Sequence, residues 1–420
     1  MIKSIFGRHG LWARPLVALA LGALLFGVPP ARADDNCENN FAHSGIAWTG
    51  NSVAVVASDN VDSGGNLYYF WQKTGTGTWH RELVAAANGG NCPGNCTGWC
   101  SSVPWGYSSD AIAWTGDSVV IAAVDQRDGG LYYWWQAKDT GSWHQQRVAE
   151  GPPGCCSFGS VDNGVVTPSV FGYSKPSIAW TGKSVVLTAC DHQGELHYWF
   201  EEKGKTTWYH ELIAKGGCTW QPSIAWTGAS VVIAATCNPN SALCYYWQAA
   251  GSGVWNRQAV DSASDAPPSI AWTGNAAVIA AGGSASSSAV VYYWQAAGTQ
   301  TWHKQQVGGS SQSAFGLPTI AAAGGSVVIA SGEEAAQQNR LDYWWAPATN
   351  TGEWTLQIPS GYGDFSAWTD PGAIAWTGVS VVIISTTACG DLDYWFQKKS
   401  TTTWQKQRIV TNSAWPPGTC

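Results

Sequence analysis

The side chains best suited to bind a ligand are aromatic residues in segments rich in Gly, Asn, Ser, Thr and Pro. A tryptophan or tyrosine ring can stack on the apolar C–H face of a sugar, while neutral polar groups satisfy the sugar hydroxyls. The same rings equally fit anchors for a partner protein, or apolar packing that fixes long loops and plugs a channel. The candidates are Trp99, Trp105, Tyr107, Tyr173, Trp220, Tyr362, Trp368 and Trp415, with Phe158 and Phe365 beside them.

Carboxylates offer two further kinds of chemistry. Two oxygen-rich loops would suit calcium, although Asp also builds tight turns; they contain Asp59 and Asp62, and Asp125 and Asp128. A pair of loop carboxylates would suit glycoside hydrolysis; the candidates are Asp110, Glu150, Asp162, Asp364 and Asp370. The sequence contains no G-x-S-x-G, H-E-x-x-H, Walker or dinucleotide motif. We therefore predict a non-enzymatic protein with no cofactor other than calcium.

These residues belong to a chain that repeats one unit seven times. An Ile-Ala-x-x-Gly core begins at Ile46, Ile112, Ile178, Ile224, Ile270, Ile320 and Ile374. Such a period is typical of one supersecondary unit that stacks on copies of itself to bury a shared core.

Four short runs in each unit predict strands. In the second unit they are 112–115, 118–123, 131–136 and 143–148, rich in β-branched and aromatic residues and separated by Gly, Asp, Thr and Ser. This pattern is typical of strands and turns, and four strands per repeat unit is the number found in a propeller blade. We predict an all-β fold: a single seven-bladed β-propeller with four antiparallel strands per blade, running from inner to outer strand.

Two aromatic positions recur in register. The third strand carries Tyr69, Tyr133, Tyr198, Tyr245, Tyr292, Tyr343 and Tyr394. The fourth strand opens with Trp79, Trp143, Trp208, Trp255, Trp302, Trp354 and Trp404. We expect these rings to be packing wedges between neighbouring blades.

The long connections share one face. Because successive strands are antiparallel, the loops after the second and fourth strands lie together, and we call this side the variable face. Its fourth-strand connections are 85–110, 149–176, 214–222, 261–268, 308–318 and 359–372. Function usually lies on varied loops over a rigid scaffold, and every candidate aromatic residue falls here.

All twelve cysteines follow residue 33, and an even number in an exported chain indicates disulfides. Cys237 and Cys244 face each other across a predicted hairpin, so we pair them. Cys190 with Cys218, and Cys389 with Cys420, occupy matching places in blades three and seven and are paired likewise. The partners of six others are left open, and zinc is the weaker alternative for three of them, Cys92, Cys96 and Cys100. The six are Cys37, Cys92, Cys96, Cys100, Cys155 and Cys156.

The first 33 residues predict a secretory signal peptide. Lys3, Arg8 and Arg14 precede an apolar run over 16–28 that is too short to span a membrane, and Ala31-Arg32-Ala33 fits a cleavage site. We assign 34–43 to an N-terminal segment, 44–410 to the propeller and 411–420 to a tail. The protein is predicted to be secreted or periplasmic. The first 33 residues carry four basic and no acidic side chains, so cleavage changes the net charge from −7 to −11, with 17 basic against 28 acidic side chains. This acidic balance argues against nucleic acid or an anionic membrane as a partner, and we predict no membrane insertion.

Tandem units of the form PSIAWTGxSVVIAA…LYYWWQ…TWHxQxV resemble repeats of secreted bacterial proteins, and their layout is similar to seven-bladed fucose-binding lectins and tectonin repeats. The lectins' sugar-binding Arg, Asp and His-Lys-Trp motifs are not matched, so no binding residue is carried over. We predict a secreted lectin-like protein that binds carbohydrate through variable-face aromatic residues. The alternatives are an extracellular protein–protein scaffold and, less favoured, a glycoside hydrolase.

Overall fold

The computed structural model describes residues 41–59, 65–87, 106–137, 141–151, 161–162, 165–166, 172–237, 242–249, 252–262, 264, 266–282, 289–309, 314–334, 340–348, 352–360, 371–387, 390–397 and 401–410. The predicted signal peptide, most of the N-terminal segment and the tail 411–420 lie outside these residues. None of the described segments forms a helix that is long and apolar enough to span a bilayer.

Seven antiparallel sheets form the propeller, and each runs from an inner first strand to an outer last strand in chain order. Blade 1 contains β1 (Ala42–Trp48), β2 (Ser52–Ser58), β3 (Leu67–Lys73) and β4 (His80–Ala85). Blade 2 contains β5 (Tyr107–Trp114), β6 (Ser118–Asp125), β7 (Leu131–Ala137) and β8 (His144–Ala149). A two-stranded pair follows, β9 (Val161–Asp162) and β10 (Val165–Val166). Blade 3 contains β11 (Ser177–Trp180), β12 (Ser184–Cys190), β13 (Leu196–Glu202) and β14 (Tyr209–Ala214).

The remaining blades repeat the order. Blade 4 contains β15 (Ser223–Trp226), β16 (Ser230–Cys237), β17 (Ala242–Ala249) and β18 (Asn256–Asp261). Blade 5 contains β19 (Ser269–Trp272), β20 (Ala276–Gly282), β21 (Val290–Ala296) and β22 (His303–Gly308). Blade 6 contains β24 (Thr319–Ala323), β25 (Ser326–Glu334), β26 (Arg340–Pro347) and β27 (Thr355–Gln357), with β23 (Ala314–Phe315) added against β25. Blade 7 contains β28 (Pro371–Trp376), β29 (Val381–Thr386), β30 (Leu392–Gln397) and β31 (Trp404–Val410). The predicted fold is confirmed.

The Thr-Gly-x-Ser turns join the first and second strands by one repeated geometry. In blade 2 the Thr115 hydroxyl donates to the carbonyl of Ser118 at 3.1 Å and accepts from its amide at 3.0 Å. Gly116 takes φ 94°, a left-handed conformation that costs glycine little. The same Thr–Ser exchange recurs in blades 1, 3, 4 and 7, and in blade 5 Thr273 makes it with Ala276. These turns explain why the face opposite the variable face is uniform.

The second strand of each blade is buried on both sides. Its central residues are 0% exposed: Val55, Ile121, Leu187, Ile233, Ile279, Ile329 and Ile383. Hydrophobic clusters join each blade to the next around the ring, and one cluster joins blade 7 to blade 1. Each fully buried aliphatic side chain contributes about 1.5–3 kcal/mol relative to exposure. The core is therefore distributed over seven interfaces between blades, which we call seams.

Every seam contains one Tyr–Trp edge contact. The tyrosine comes from the third strand of one blade, and the tryptophan directly precedes the fourth strand of the next blade or, in blade 7, begins it. The ring centroids lie 4.9–5.3 Å apart. The seventh contact, Tyr394 with Trp79, closes the ring between the last and first blades. The prediction that these recurring rings are wedges between blades is confirmed.

A hydrogen-bonded triad accompanies the wedge in four seams. At the seam of blades 3 and 4, Glu211 Oε2 accepts from Gln248 Nε2 at 2.9 Å and from Trp255 Nε1 at 2.7 Å. The same triad, with glutamate or glutamine as acceptor, occurs at the seams 1–2, 4–5 and 6–7. Four seams thus share it in all. Ring closure is simpler: Gln72 Nε2 donates to Gln407 Oε1 at 2.9 Å.

Candidate functional site

The inner strands converge on a cavity at the mouth of the central channel, on the variable face. It measures about 220 Å³, and all seven blades contribute residues from their first strands or directly before them. A cavity of this size lies below the roughly 300–1,000 Å³ of sites for drug-sized ligands. It would suit a small ligand or one terminal unit of a larger one. We call it the channel mouth.

Proline divides the channel mouth into two halves. Blades 3 to 6 place a proline two residues before the first isoleucine, and these are Pro176, Pro222, Pro268 and Pro318. Blades 7, 1 and 2 place Gly372, Ser44 and Asp110 there. Proline lacks the amide needed to continue pairing, so the first strands of blades 3 to 5 have four residues, whereas those of blades 1 and 2 have seven and eight. The predicted first strand of blade 2, residues 112–115, is accordingly lengthened to Tyr107–Trp114.

The proline half is tied together by hydroxyl groups. Ser177 Oγ accepts from the amide of Ile224 at 3.1 Å, so the inner strand of blade 3 is joined to that of blade 4. Ser223 and Ser269 repeat this bond to the amides of Ile270 and Ile320. Three hydroxyls of this half therefore hold neighbouring blades together, whereas the buried hydroxyl of Thr319 in blade 6 has no hydrogen bond among the described residues.

The other half contains a buried carboxyl group. Asp110 is 0% exposed, and neither of its oxygens has a hydrogen bond within the described part of the chain. Burial raises the pKa of Asp110 to about 7, against the opposing effects of the Lys175 ammonium and of the neighbouring Ser58. The Ser44 hydroxyl is also buried without a partner among the described residues. This half therefore contains two buried polar side chains at the edge of the cavity whose hydrogen bonds are not made within the described residues, and such unsatisfied groups are costly.

Three of the predicted ligand-binding aromatic residues are described. Tyr107 is 5% exposed, its ring meets Trp134 edge-on at 5.1 Å, and Arg127 lies over it at 5.6 Å. Tyr173 is partly buried and packs edge-on against Trp199 at 5.2 Å. Trp220 is partly buried and directly precedes Gln221, which lines the channel mouth. The other five lie outside the described residues: Trp99, Trp105, Tyr362, Trp368 and Trp415.

The carboxylates of the predicted calcium loops have protein partners. Asp59 accepts from the backbone and side-chain amides of Asn66. Asp125 forms an ion pair with Arg127, and Asp128 pairs with Arg147 at 3.1 Å. Asp62 lies outside the described residues. The calcium hypothesis stays a prediction.

The hydrolase carboxylates are only partly placed. Glu150 is exposed and lies 3.9 Å from Arg147, whereas Asp110 is buried at the channel mouth. Of Asp162 only the backbone is described, in β9. Asp364 and Asp370 lie outside the described residues. No pair from this set is therefore defined by the described part of the chain.

Two of the predicted disulfides are present. Cys190 bonds to Cys218 and Cys237 bonds to Cys244, with Cα–Cα distances of 5.7 and 5.9 Å. Cys389, Cys420 and the six cysteines left open in the sequence lie outside the described residues. Both bonds lie on the variable face, where they fix the loops of blades 3 and 4.

Sequence reasoning overlooked Lys175 and Ser44, and it considered Asp110 only as a hydrolase candidate. A signal was present, because the position two before the repeated isoleucine is proline in four blades and Ser, Asp or Gly in three. When the residue type at a repeat position differs in only some of the blades, those blades differ locally in structure. Here the differing position lines the channel mouth.

Neither the protein-family models nor the curated proteins include a match to this chain. Among solved structures, the BP39L lectin from Burkholderia pseudomallei is similar over 89% of this chain and 100% of the lectin, at 14% identity and a TM-score of 0.61. The β-propeller domain of the Trilobed protease from Pyrococcus furiosus is similar over 90% and 100%, at 10% identity and 0.50. A prolyl endopeptidase is similar over 89% of this chain and 50% of its own, at 10% identity and 0.54. The likeness to a lectin propeller is thus confirmed for the fold.

Proposed function

We propose that the protein is a secreted carbohydrate-binding propeller whose ligand occupies the channel mouth and the aromatic loops around it. The observation that carries the proposal is the buried carboxyl of Asp110, which has no hydrogen bond among the described residues and lies beside a cavity of about 220 Å³. A neutral polyhydroxylated ligand donates hydroxyl hydrogens to a carboxylate and offers oxygens to an ammonium such as Lys175. A sugar therefore complements this half of the channel mouth without bringing a charge into it.

The surroundings support the same class of ligand. Gln221 supplies an amide at the channel mouth, and the neighbouring Trp220 supplies a partly exposed ring. The sequence places Trp99, Trp105, Tyr362, Trp368 and Trp415 in connections of the same face. The similarity in fold to the BP39L lectin shows that this scaffold accommodates lectins. Two disulfides suit an oxidising, extracytoplasmic location.

The test is a glycan array on the chain expressed by secretion, followed by calorimetry with the best glycan. Asp110→Asn and Trp220→Ala should each weaken binding at least tenfold, because one removes the carboxylate acceptor and the other the ring. Glu150→Gln is the matched control, since it neutralises an exposed carboxylate of the same face and should leave affinity unchanged. Because the pKa of Asp110 is about 7, wild-type affinity should rise between pH 6 and pH 8, and Asp110→Asn should remove that rise.

Other outcomes point to the alternative functions. An array without signal, combined with a protein captured reproducibly from the same extracellular medium, favours the protein–protein scaffold. Turnover of a glycoside that Asp110→Asn abolishes would place the protein among hydrolases. Glycan binding that survives both the Asp110 and the Trp220 changes would move the sugar site away from the channel mouth.

A further inference from the structure

Blade 3 contains a cluster of metal-binding side chains that lies apart from the channel mouth. It comprises Asp191 and Glu195 in the loop between β12 and β13, and His197 at the start of β13. One potential ligand atom from each residue lies within 4.8 Å of the other two. We call these residues the blade 3 cluster.

His197 is held rigidly with one ring nitrogen facing the carboxylates. The residue is 7% exposed, stacked on Trp199 at 5.4 Å and met edge-on by Tyr173 at 5.7 Å. Its Nε2 lies 3.3 Å from Asp191 Oδ2 but makes no hydrogen bond among the described residues. Two ligands of a tetrahedral zinc ion, each about 2.0–2.1 Å from the metal, are separated by about the same distance.

Hydrogen bonds orient the side chains of Asp191 and His197. Asp191 Oδ1 accepts from the amides of Gln193 at 2.9 Å and Glu195 at 2.8 Å, which leaves Oδ2 toward His197. His197 Nδ1 lies 2.9 Å from His210 Nε2. A histidine that ligates a metal through Nε2 usually has such a partner on Nδ1, which fixes its ring and tautomer.

Equivalent acidic clusters in other blades are neutralised by arginine. In blade 2, Arg127 pairs with Asp125. In blade 6, Arg340 pairs with Glu333 and Asp342, and in blade 7, Arg408 pairs with Asp391 and Asp393. Within the described segments, no Arg or Lys forms an ion pair with Asp191 or Glu195, and His197 is the one basic partner of Asp191. In this blade a metal cation would supply the positive charge.

We propose that Asp191, Glu195 and His197 bind one zinc ion. Imidazole nitrogen favours zinc over calcium or magnesium, and carboxylates complete a ligand set that zinc accepts. Three protein ligands leave a fourth coordination position for water or a ligand oxygen. The ion would clamp the β12–β13 loop next to the Cys190–Cys218 disulfide.

The test uses the secreted full chain after removal of metal with a chelator. Calorimetry with ZnCl₂ should show one ion per chain, and zinc should raise the Tm, since it binds the folded state. X-ray absorption of the zinc complex should show one imidazole with oxygen ligands and no sulfur. Sulfur ligands would place the ion at unpaired cysteines and overturn the proposal, as would the lack of one-to-one binding.

Variants separate this cluster from other zinc sites. His197→Gln should lower affinity at least 100-fold and Glu195→Gln at least tenfold. His210→Gln should cost about 10–100-fold, the usual effect of removing a partner of a ligating histidine. His303→Gln is the control, because His303 is likewise stacked on a tryptophan, Trp294, but belongs to no cluster of potential ligands in the described chain.

Near-ultraviolet circular dichroism must first show that each variant is folded. If His197→Gln fails to fold, the partly exposed Glu195 carries the test instead. Unchanged zinc affinity in a folded His197 or Glu195 variant would overturn the proposal.

Discussion

The two seams that flank blade 3 contain the same kinds of side chain in exchanged positions. At the seam with blade 4, the carboxylate of Glu211 lies on the fourth strand and accepts from Gln248 and Trp255. At the seam with blade 2, the fourth-strand position is Gln146 and the third-strand position is Glu201. At the seam of blades 2 and 3 the acidic residue therefore occupies the third-strand position, which donates in the intact triad, and not the fourth-strand position, which accepts.

This exchange breaks the triad. Gln146 Nε2 donates instead to the carbonyl of Thr206 at 2.7 Å. Glu201 Oε1 and Trp208 Nε1 are buried without hydrogen bonds among the described residues, and burial raises the pKa of Glu201 to about 7. The position of the acidic residue in the seam, and not only its presence, decides whether its carboxylate receives hydrogen bonds.

The largest expected effect comes from placing an acid in the donor position of the intact seam. Gln248→Glu would put a second buried carboxyl against Glu211, and two carboxylates at hydrogen-bond distance do not both ionise readily. We expect a loss of about 2–4 kcal/mol in the free energy of unfolding at pH 8, because a paired charge becomes an unpaired buried one. Urea titrations at pH 8 and pH 5 measure it. The loss should shrink at pH 5, where the pair can share a proton; an equal loss at both values would contradict this account.

The reverse change should repair the broken seam. The raised pKa of Glu201 means that the folded state binds this proton more tightly than the unfolded state. Its contribution therefore destabilises the fold as pH rises from about 4.5 through about 7. Glu201→Gln should stabilise the protein by about 1–3 kcal/mol at pH 8 and have little effect at pH 5. Thermal unfolding of wild type and variant at both values tests this, and stabilisation at pH 5 alone would contradict it.

A third comparison isolates the hydrogen bond of the tryptophan. Trp255→Phe and Trp208→Phe remove a similar ring volume at neighbouring seams, but only Trp255 donates to an acceptor in the described structure. We expect Trp255→Phe to cost about 1.5–3 kcal/mol more, the usual contribution of a hydrogen bond to a charged group. Urea titration of both variants gives the difference. Equal losses would show that the rings contribute through packing alone.

The sequence predicted the parts that repeat. Tyr198 and Trp255 were assigned to a wedge between blades because each position recurs in register, and a recurring apolar position in a stacked unit faces the neighbouring unit. The Cys237–Cys244 bond followed from the antiparallel pairing of adjacent strands. Local spacing determines both features, so no knowledge of ring closure was needed.

The parts that depend on closure were not predicted. Asp110 lies beside Lys175 and Ser44 at the channel mouth only because seven first strands converge there. The sequence alone does not show which residues of distant blades this convergence brings together. Glu201 Oε1 likewise has no hydrogen bond among the described residues because of Gln146 in the preceding blade, 55 residues earlier. The blade 3 cluster could have been predicted, since Asp191, Glu195 and His197 are close in sequence. Acidic residues at the equivalent positions of other blades, however, are also typical of tight turns.

The smallest expected effect concerns the seam that closes the ring. At closure, Gln407 has one described donor, Gln72, whereas at the seam of blades 6 and 7, Gln357 accepts from both Gln397 and Trp404. Gln72→Leu therefore leaves a partly buried acceptor unsatisfied, but Gln397→Leu leaves the tryptophan bond in place. We expect Gln72→Leu to cost about 1 kcal/mol and Gln397→Leu about 0.5 kcal/mol.

Calorimetry of both variants measures this difference, with Gln397→Leu as the matched control. The opposite order would mean that the closure seam relies on its hydrophobic cluster, in which Phe41 and Phe70 meet edge-on at 6.0 Å, and gains little from its amide pair. The two results distinguish a ring held shut by a specific polar contact from one held by apolar burial. Phe41 precedes the first repeat, whereas Gln72 lies within it. The two outcomes therefore also show whether ring closure depends on a residue of the repeat or on the segment before it.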